Sequence, residues 1–255
     1  MYATLIAVSA LWGAAAGLFV PRAAYRLAVE PGRERLDACP AGHPFTGPAR
    51  GWLGVARCRG CADEAPGDGA HRAAGPAAPA AVAVTVTACA ALAAATGPRP
   101  ELAVWLLLTP VAVLLAVIDL RVHRLPDRLT LPLAGAAALL LGAAALLPDP
   151  AGSWPAALLG GLALGAVYFL LFVIHPNGMG FGDVKLALSL GTVLGWYGWG
   201  VLFTGAFAGF LLGSLYGGGL MILGRATRKS AIPFGPFMVS GAFTGVLLGA
   251  LAARA

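Results

Sequence analysis

Residues 101–119 read Glu101-Leu102-Ala103-Val104-Trp105-Leu106-Leu107-Leu108-Thr109-Pro110-Val111-Ala112-Val113-Leu114-Leu115-Ala116-Val117-Ile118-Asp119. No charge interrupts the run between its two terminal acids. Its length is that of an α-helix crossing a hydrocarbon core, roughly 20 residues. Comparable apolar runs lie near 3–20, 78–96, 129–147, 154–174, 186–201, 203–223 and 233–252. The expected fold is therefore all-α: a polytopic membrane protein of about eight transmembrane helices, with the lipid bilayer as its main partner. Composition agrees, with 59% hydrophobic residues, 11% charged residues and a mean hydropathy of +0.82. A soluble domain carries about 25% charged residues, which excludes that class. The first run has no Lys or Arg before Arg22. Lacking a basic n-region, it reads as a retained span and not as a cleaved signal peptide.

The net charge of +6 is a matter of topology. All but two of the 17 cations fall on one set of connections: Arg22, Arg26, Arg33, Arg35, Arg50, Arg57, Arg59 and Arg72, then Arg121, Arg124, Arg128 and Lys185, and finally Arg225, Arg228 and Lys229. The other set carries only Arg99 and Arg254. Such asymmetry is the positive-inside signature, so the basic side is expected in the cytoplasm and both termini outside. No nucleic-acid partner is expected.

Residues 21–76 differ in kind. They are rich in Arg, Gly and Pro and hold three of the 4 cysteines, with no apolar run. The expected organisation is a first transmembrane helix (1–20), a cytoplasmic Cys/His loop domain with its linker (21–76), and a seven-helix membrane core (77–255). Within the core, Gly205, Gly209 and Gly213, and again Gly241, Gly245 and Gly249, recur at four-residue spacing. Helices in lipid associate through such small residues, which let backbones approach closely.

Two acids sit where charge is expensive. Asp119 closes the third run. Asp183 lies in Gly178-Met179-Gly180-Phe181-Gly182-Asp183-Val184-Lys185. Ionisable groups at membrane depth face a bundle interior or a water-filled cavity, and are functional by default. Both fall on the same side of the inferred topology. Two carboxyls sharing a site hold one proton between them, the arrangement with which an aspartyl protease activates water and protonates the scissile carbonyl. The competing reading is that each aspartate caps a helix or pairs with Arg121, Arg124 or Lys185. Gly180 and Gly182 flank Asp183 with residues that tolerate positive φ and leave room for an extended substrate. Gly180, Gly182 and Lys185 are thus expected in the substrate-facing loop. Pro126 ends the helix after Asp119, and Asp127 is expected to cap the next.

These stretches resemble the bacterial prepilin peptidases, the pilin-processing branch of the Gly-x-Gly-Asp membrane aspartyl proteases. Asp119 with Leu125-Pro126-Asp127-Arg128-Leu129-Thr130-Leu131-Pro132 resembles the family's first catalytic motif. Met179-Gly180-Phe181-Gly182-Asp183-Val184-Lys185-Leu186 resembles the second, and Ile232-Pro233-Phe234-Gly235-Pro236-Phe237 the opening of its last helix. The resemblance implies that Asp119 and Asp183 are the catalytic pair, at the cytoplasmic face of the bacterial inner membrane. It implies type IV prepilin-like substrates with a short basic leader before an apolar helix. Proteolysis of this kind uses water as nucleophile and requires no cofactor.

Gly17-Leu18-Phe19 with Arg26-Leu27 resembles the first-helix motif of longer members. Those members carry two Cys-x-x-Cys pairs in the first cytoplasmic loop. Here Cys58-Arg59-Gly60-Cys61 is intact, whereas Cys39-Pro40-Ala41-Gly42-His43 has glycine in the place of the second cysteine. Cys39, His43, Cys58 and Cys61 form a candidate Cys₃His structural zinc set; the alternative is a set of reduced thiols. Longer members also methylate the new N-terminus with S-adenosylmethionine. The departures fall in the region linked to that activity, and no separate S-adenosylmethionine site is legible. Two other function classes stay open on the residues alone: an ion or proton relay through the aspartates, and a non-catalytic scaffold for pilus or secretion assembly.

Overall fold

Inside hydrocarbon a backbone N–H finds no water to bond, so each apolar run must satisfy its own hydrogen bonds as a helix. The computed structural model shows this outcome. It describes residues 2–29, 35–39, 41–45, 52, 78–176, 178–225, 227 and 232–254. Among the described residues there are nine helices. They are α1 (Tyr2–Gly17), α2 (Val20–Leu27), α3 (Ala78–Thr96), α4 (Glu101–Val122), α5 (Asp127–Ala145), α6 (Trp154–Ile174), α7 (Phe181–Gly195), α8 (Trp199–Ile222) and α9 (Gly235–Ala252).

Seven segments are long and apolar enough to cross a membrane, counting α1 and α2 as one run over Tyr2–Leu27. The chain is a multi-pass helical membrane protein. The expected sixth span, 186–201, takes a different form. α7 begins five residues earlier, so that Asp183 falls in its first turn, and it ends at Gly195 after 15 residues. At 1.5 Å per residue it is about 22 Å long, short of the roughly 30 Å hydrocarbon core. Gly198, at φ +101°, breaks the chain before α8 starts at Trp199, so residues 199–202 belong to the next helix.

The short helix survives because it is the inner one. Val184, Leu186, Ala187, Leu190 and Leu194 are all buried, leaving little of α7 to face lipid. α5, α6, α8 and α9 pack around it. Glycine sets how close they come. A Cβ on Gly160 of α6 would stand 2.7 Å from the Gly191 carbonyl oxygen of α7. The glycines expected to pack closely do so against each other: Gly205/Gly209 of α8 face Gly241/Gly245 of α9, where a Cβ on Gly241 would meet the Gly209 nitrogen at 2.3 Å. With no solvent drive between helices in lipid, this close packing supplies the contact energy.

The bundle has two distinct ends. At one, Arg254 stacks over Tyr2 (4.9 Å) and donates to the Ala94 carbonyl, so both termini meet there. At the other lie Asp119, Asp127, Asp183 and Gly235. There α2 also meets the part of the Cys/His loop that is described: Tyr25 packs edge-on against Phe45, and Arg26 bonds Asp37. The Asp37 carboxyl is held below the usual carboxylate range chiefly by that Arg26 hydrogen bond. Most of 46–77 lies outside the described residues.

Candidate active site

Asp119 sits in the last turn of α4 and is buried. The helix stops four residues later, where His123 adopts the left-handed conformation (φ 50°) and its N–H bonds the Asp119 carbonyl. The side chain turns the other way. Its Oδ2 accepts a hydrogen bond from the backbone N–H of Gly235 at 2.8 Å. Gly235 opens α9, so this N–H is one of the donors a helix N-terminus leaves without an internal partner. Pro236 follows, offering no second donor and a φ suited to the first turn.

Asp183 occupies the first turn of α7 and is likewise buried. Its Oδ2 accepts from the N–H of Gly180, the N-cap residue, at 3.2 Å. This is the backward reach of a capping-box acid. Capping and chemistry therefore do not exclude each other here. Each aspartate spends one oxygen on a helix N-terminus. Among the described residues the other oxygen of each has no hydrogen bond. The Asp119 carboxylate lies within Coulombic reach of Asp183.

What brings the two together is the close approach of the 123–126 turn to α7. A Cβ on Gly182 would stand 2.9 Å from the Cβ of buried Leu125, with the Leu125 backbone nitrogen and oxygen at 3.4 Å. Lys185, one turn further along α7, reaches Asp127 with its Nζ 2.6 Å from Oδ1, and also covers the Phe181 ring at 4.8 Å. Deeper down, Ser189 donates to the Thr130 carbonyl (3.4 Å). α4, α5 and α7 are thus held to one another beside the aspartates.

Several expectations need correction in their physical detail. Gly180 has φ −75° and ψ 143°, ordinary extended backbone, and Gly182 is helical with no positive φ. Gly182 serves close approach, not an unusual dihedral, and Gly180 requires neither. Gly182 and Lys185 belong to a helix, not to a loop. Asp127 does not cap α5; Pro126 is the N-cap residue, and Asp127 is the first helical residue, paired with Lys185.

Two contributors escaped the sequence reading. Gly235 was noticed only within a resembling motif, and nothing in the sequence says that its N–H meets Asp119. Tyr168 is 2% exposed and has Asp183 as its charged neighbour. Its ring packs on Phe210 (5.4 Å) and Phe234 (6.3 Å), tying α6 and α8 to the residue before α9. One aromatic in an apolar run carries no signal that would set it apart.

Of the expected zinc ligands, Cys58 and Cys61 lie outside the described residues. Cys39 and His43 face each other across a tight turn closed by the Ala38–Pro44 bridge, with Gly42 at φ +84°. Cys39 Sγ lies 3.8 Å from His43 Nδ1. Zn–S and Zn–N bonds at a tetrahedral angle put two such ligands about 3.6 Å apart. The half-set present fits the metal. Among the described residues no three metal-ligating side chains gather elsewhere.

Comparison with known proteins follows the same lines. The model of the type IV leader peptidase family matches residues 106–222, a range that contains both aspartates. A prepilin leader peptidase/N-methyltransferase of Aeromonas hydrophila is 34% identical over 222 residues, covering 84% of this chain and 71% of that protein. One of the same name from Bacillus subtilis is 31% identical, covering 67% of this chain and 66% of its own length. Leader peptidase HopD of Escherichia coli is 33% identical, covering 52% and 84%. The chain spans about half the length of some other curated relatives it matches. No solved structure matches it. With a relative 34% identical of which it covers 71%, and with a family match that contains both buried aspartates, the chain belongs to the type IV leader peptidase family.

Proposed function

We propose that this protein is a membrane aspartic endopeptidase that removes leader peptides from prepilin-like precursors, with Asp119 and Asp183 as its catalytic pair. One observation carries the proposal. Two buried carboxylates from distant parts of the chain lie within Coulombic reach of each other at one end of the bundle, and among the described residues each has one oxygen held by a backbone N–H and the other without a hydrogen bond. A pair of this kind shares a proton, because two adjacent negative charges out of bulk water repel strongly. The ionised member takes a proton from water as the oxygen attacks the scissile carbonyl. The protonated member donates to the carbonyl oxygen, and a proton then reaches the leaving amine. The free oxygens are where water and substrate would bond.

The family resemblance and the relatives' names both point to prepilin substrates. The cytoplasmic face is supported by Arg121, Arg124, Arg128 and Lys185, which crowd the aspartate end of the bundle. Zinc, held by Cys39 and His43 with Cys58 and Cys61, would brace the loop that docks on α2 and takes no part in the hydrolysis. The proposal covers cleavage; no described residue is assigned to methyl transfer.

The test is cleavage of a co-reconstituted prepilin by wild type, Asp119→Asn and Asp183→Asn, each checked for folding. Positioned acid–base groups contribute roughly 10²–10⁴-fold, and each folded variant should lose at least that. A folded variant that still cleaves at the wild-type rate sinks the pairing.

A further inference from the structure

A cavity of about 450 Å³ opens within the bundle between α3, α4, α7 and α9, with α5 contributing Leu133. Its floor includes Leu108, Leu133 and Leu190, all buried, and its exposed rim includes Val84 and Ser240. Along α9 it begins at Val239, four residues past Gly235, so about 6 Å deeper than the Gly235–Asp119 hydrogen bond.

The lining decides what the cavity can hold. Five hydroxyls border it, and all five already donate to backbone carbonyls. Thr87 bonds Ala83 (2.8 Å), Thr109 bonds Trp105 (2.7 Å) and Ser189 bonds Thr130 (3.4 Å). Ser240 bonds Pro236 (2.7 Å) and Thr244 bonds Ser240 (3.0 Å). The Trp105 Nε1 is engaged with the Tyr197 hydroxyl. Each hydroxyl has thereby spent its one proton and keeps only acceptor lone pairs, so the wall offers an interior guest no hydrogen-bond donor, whereas a buried water makes two to four hydrogen bonds. With no donor on offer and a wall that is otherwise hydrocarbon, the cavity suits an apolar occupant, and an empty void would forfeit dispersion contacts along that wall.

Size separates the apolar candidates. A spanning helix about 30 Å long and 10 Å across fills roughly 2,000 Å³, several times the space available. Taking a methylene as about the size of a water, ~30 Å³, the cavity holds on the order of fifteen carbons, the length of a membrane acyl chain. The rim residues Val84, Thr87, Ser240 and Thr244 are exposed on spanning helices α3 and α9. In a bilayer that side faces lipid tails. We propose that the cavity is a binding site for one acyl chain of a membrane lipid, taken in sideways between α3 and α9. The chain completes the packing of α4, α7 and α9, the three helices that carry Asp119, Asp183 and Gly235.

The test uses the full chain in nanodiscs of phosphatidylethanolamine and phosphatidylglycerol, part of it bearing a diazirine midway along one acyl chain. After irradiation, adducts are mapped by peptide mass spectrometry. Adducts on buried Leu108, Leu133 and Leu190, beside those on outward-facing Leu107 and Leu139, are expected. Ala88→Trp should lower the interior adducts roughly tenfold, because the indole fills space the chain would take, and leave the outward ones unchanged. Should Ala88→Trp fail to fold, Ser240→Phe at the rim serves the same purpose. Adducts confined to outward-facing positions would overturn the proposal. So would loss of the interior adducts on adding prepilin, which would give the cavity to substrate. Neither readout depends on proteolysis, so the catalytic assignment stands or falls separately.

Discussion

The backbone N–H of Gly235 donates to Oδ2 of Asp119 at 2.8 Å, joining residues 116 positions apart. One end of the last helix thereby aims the carboxylate that closes α4. The contact tolerates nothing larger than hydrogen, since a Cβ on Gly235 would stand 2.8 Å from that same oxygen and 3.4 Å from the Asp119 Cβ. Gly235→Ala should therefore rotate Asp119 away from its donor. We expect kcat/KM for prepilin cleavage to fall at least tenfold, about 1.4 kcal/mol of transition-state stabilisation, with the helical circular-dichroism signal retained. Wild-type turnover in this variant would remove Gly235 from the site.

Gly180 and Gly182 should behave differently although both belong to one motif. A Cβ on Gly180 meets the Asp183 Oδ2 at 3.5 Å and the Gly182 nitrogen at 3.9 Å, ordinary contacts on ordinary backbone. On Gly182 it would drive into the main chain and Cβ of Leu125, neither of which can swing aside. Gly180→Ala should keep cleavage within about threefold of wild type, as expected of a change that creates no overpacking. Gly182→Ala should lower both activity and thermal midpoint, with overpacking costing about 1–3 kcal/mol. Equal effects of the two would mean that the close approach to Leu125 is not what Gly182 serves.

The Lys185–Asp127 pair holds the first turns of α7 and α5 together at 2.6 Å, but the Asp127 side chain is 63% exposed. Solvent screening limits such pairs to about 1 kcal/mol or less. Asp127→Asn and Lys185→Met should each cost only that much in stability. Together they should cost no more than either alone, because one interaction is removed in all three variants. A double-mutant cycle on thermal unfolding in detergent measures this. Strict additivity would show that the two side chains act separately.

Cleavage should depend on pH as a bell, one limb for each ionisation of the shared carboxyl pair. The two apparent pKa values belong to the pair and not to either aspartate. The profile of kcat/KM between about pH 4 and 9 tests this. A single limb across that range would argue against a pair that works with one proton.

Cys39→Ser and His43→Ala should each abolish bound zinc in purified protein, measured by elemental analysis, while Asp183→Asn keeps it. The 3.8 Å approach of Sγ to Nδ1 motivates the expectation. Unchanged metal content in both ligand variants would leave Cys39 and His43 as an ordinary half-buried contact.

Much of this protein was legible without coordinates because lipid imposes simple rules. Apolar length and the absence of charge mark a spanning helix whatever its neighbours are, so the seven long helices follow from local composition. Asp119 and Asp183 stood out for the same reason, as charges in places where charge is costly. The four-residue glycine spacing marked faces for close helix packing, since a helix repeats its face at about that interval, but that the two faces meet each other was decided by the bundle. Local pattern carries no information, however, about which helix lies in the middle. α7 could be shorter than a span only because α5, α6, α8 and α9 enclose it, and that is a property of the assembled bundle. The roles of Gly235, Leu125 and Tyr168 were decided in the same way. Each depends on contact between segments far apart in sequence, where hydrogen-bond donors and van der Waals surfaces meet only after the helices have packed.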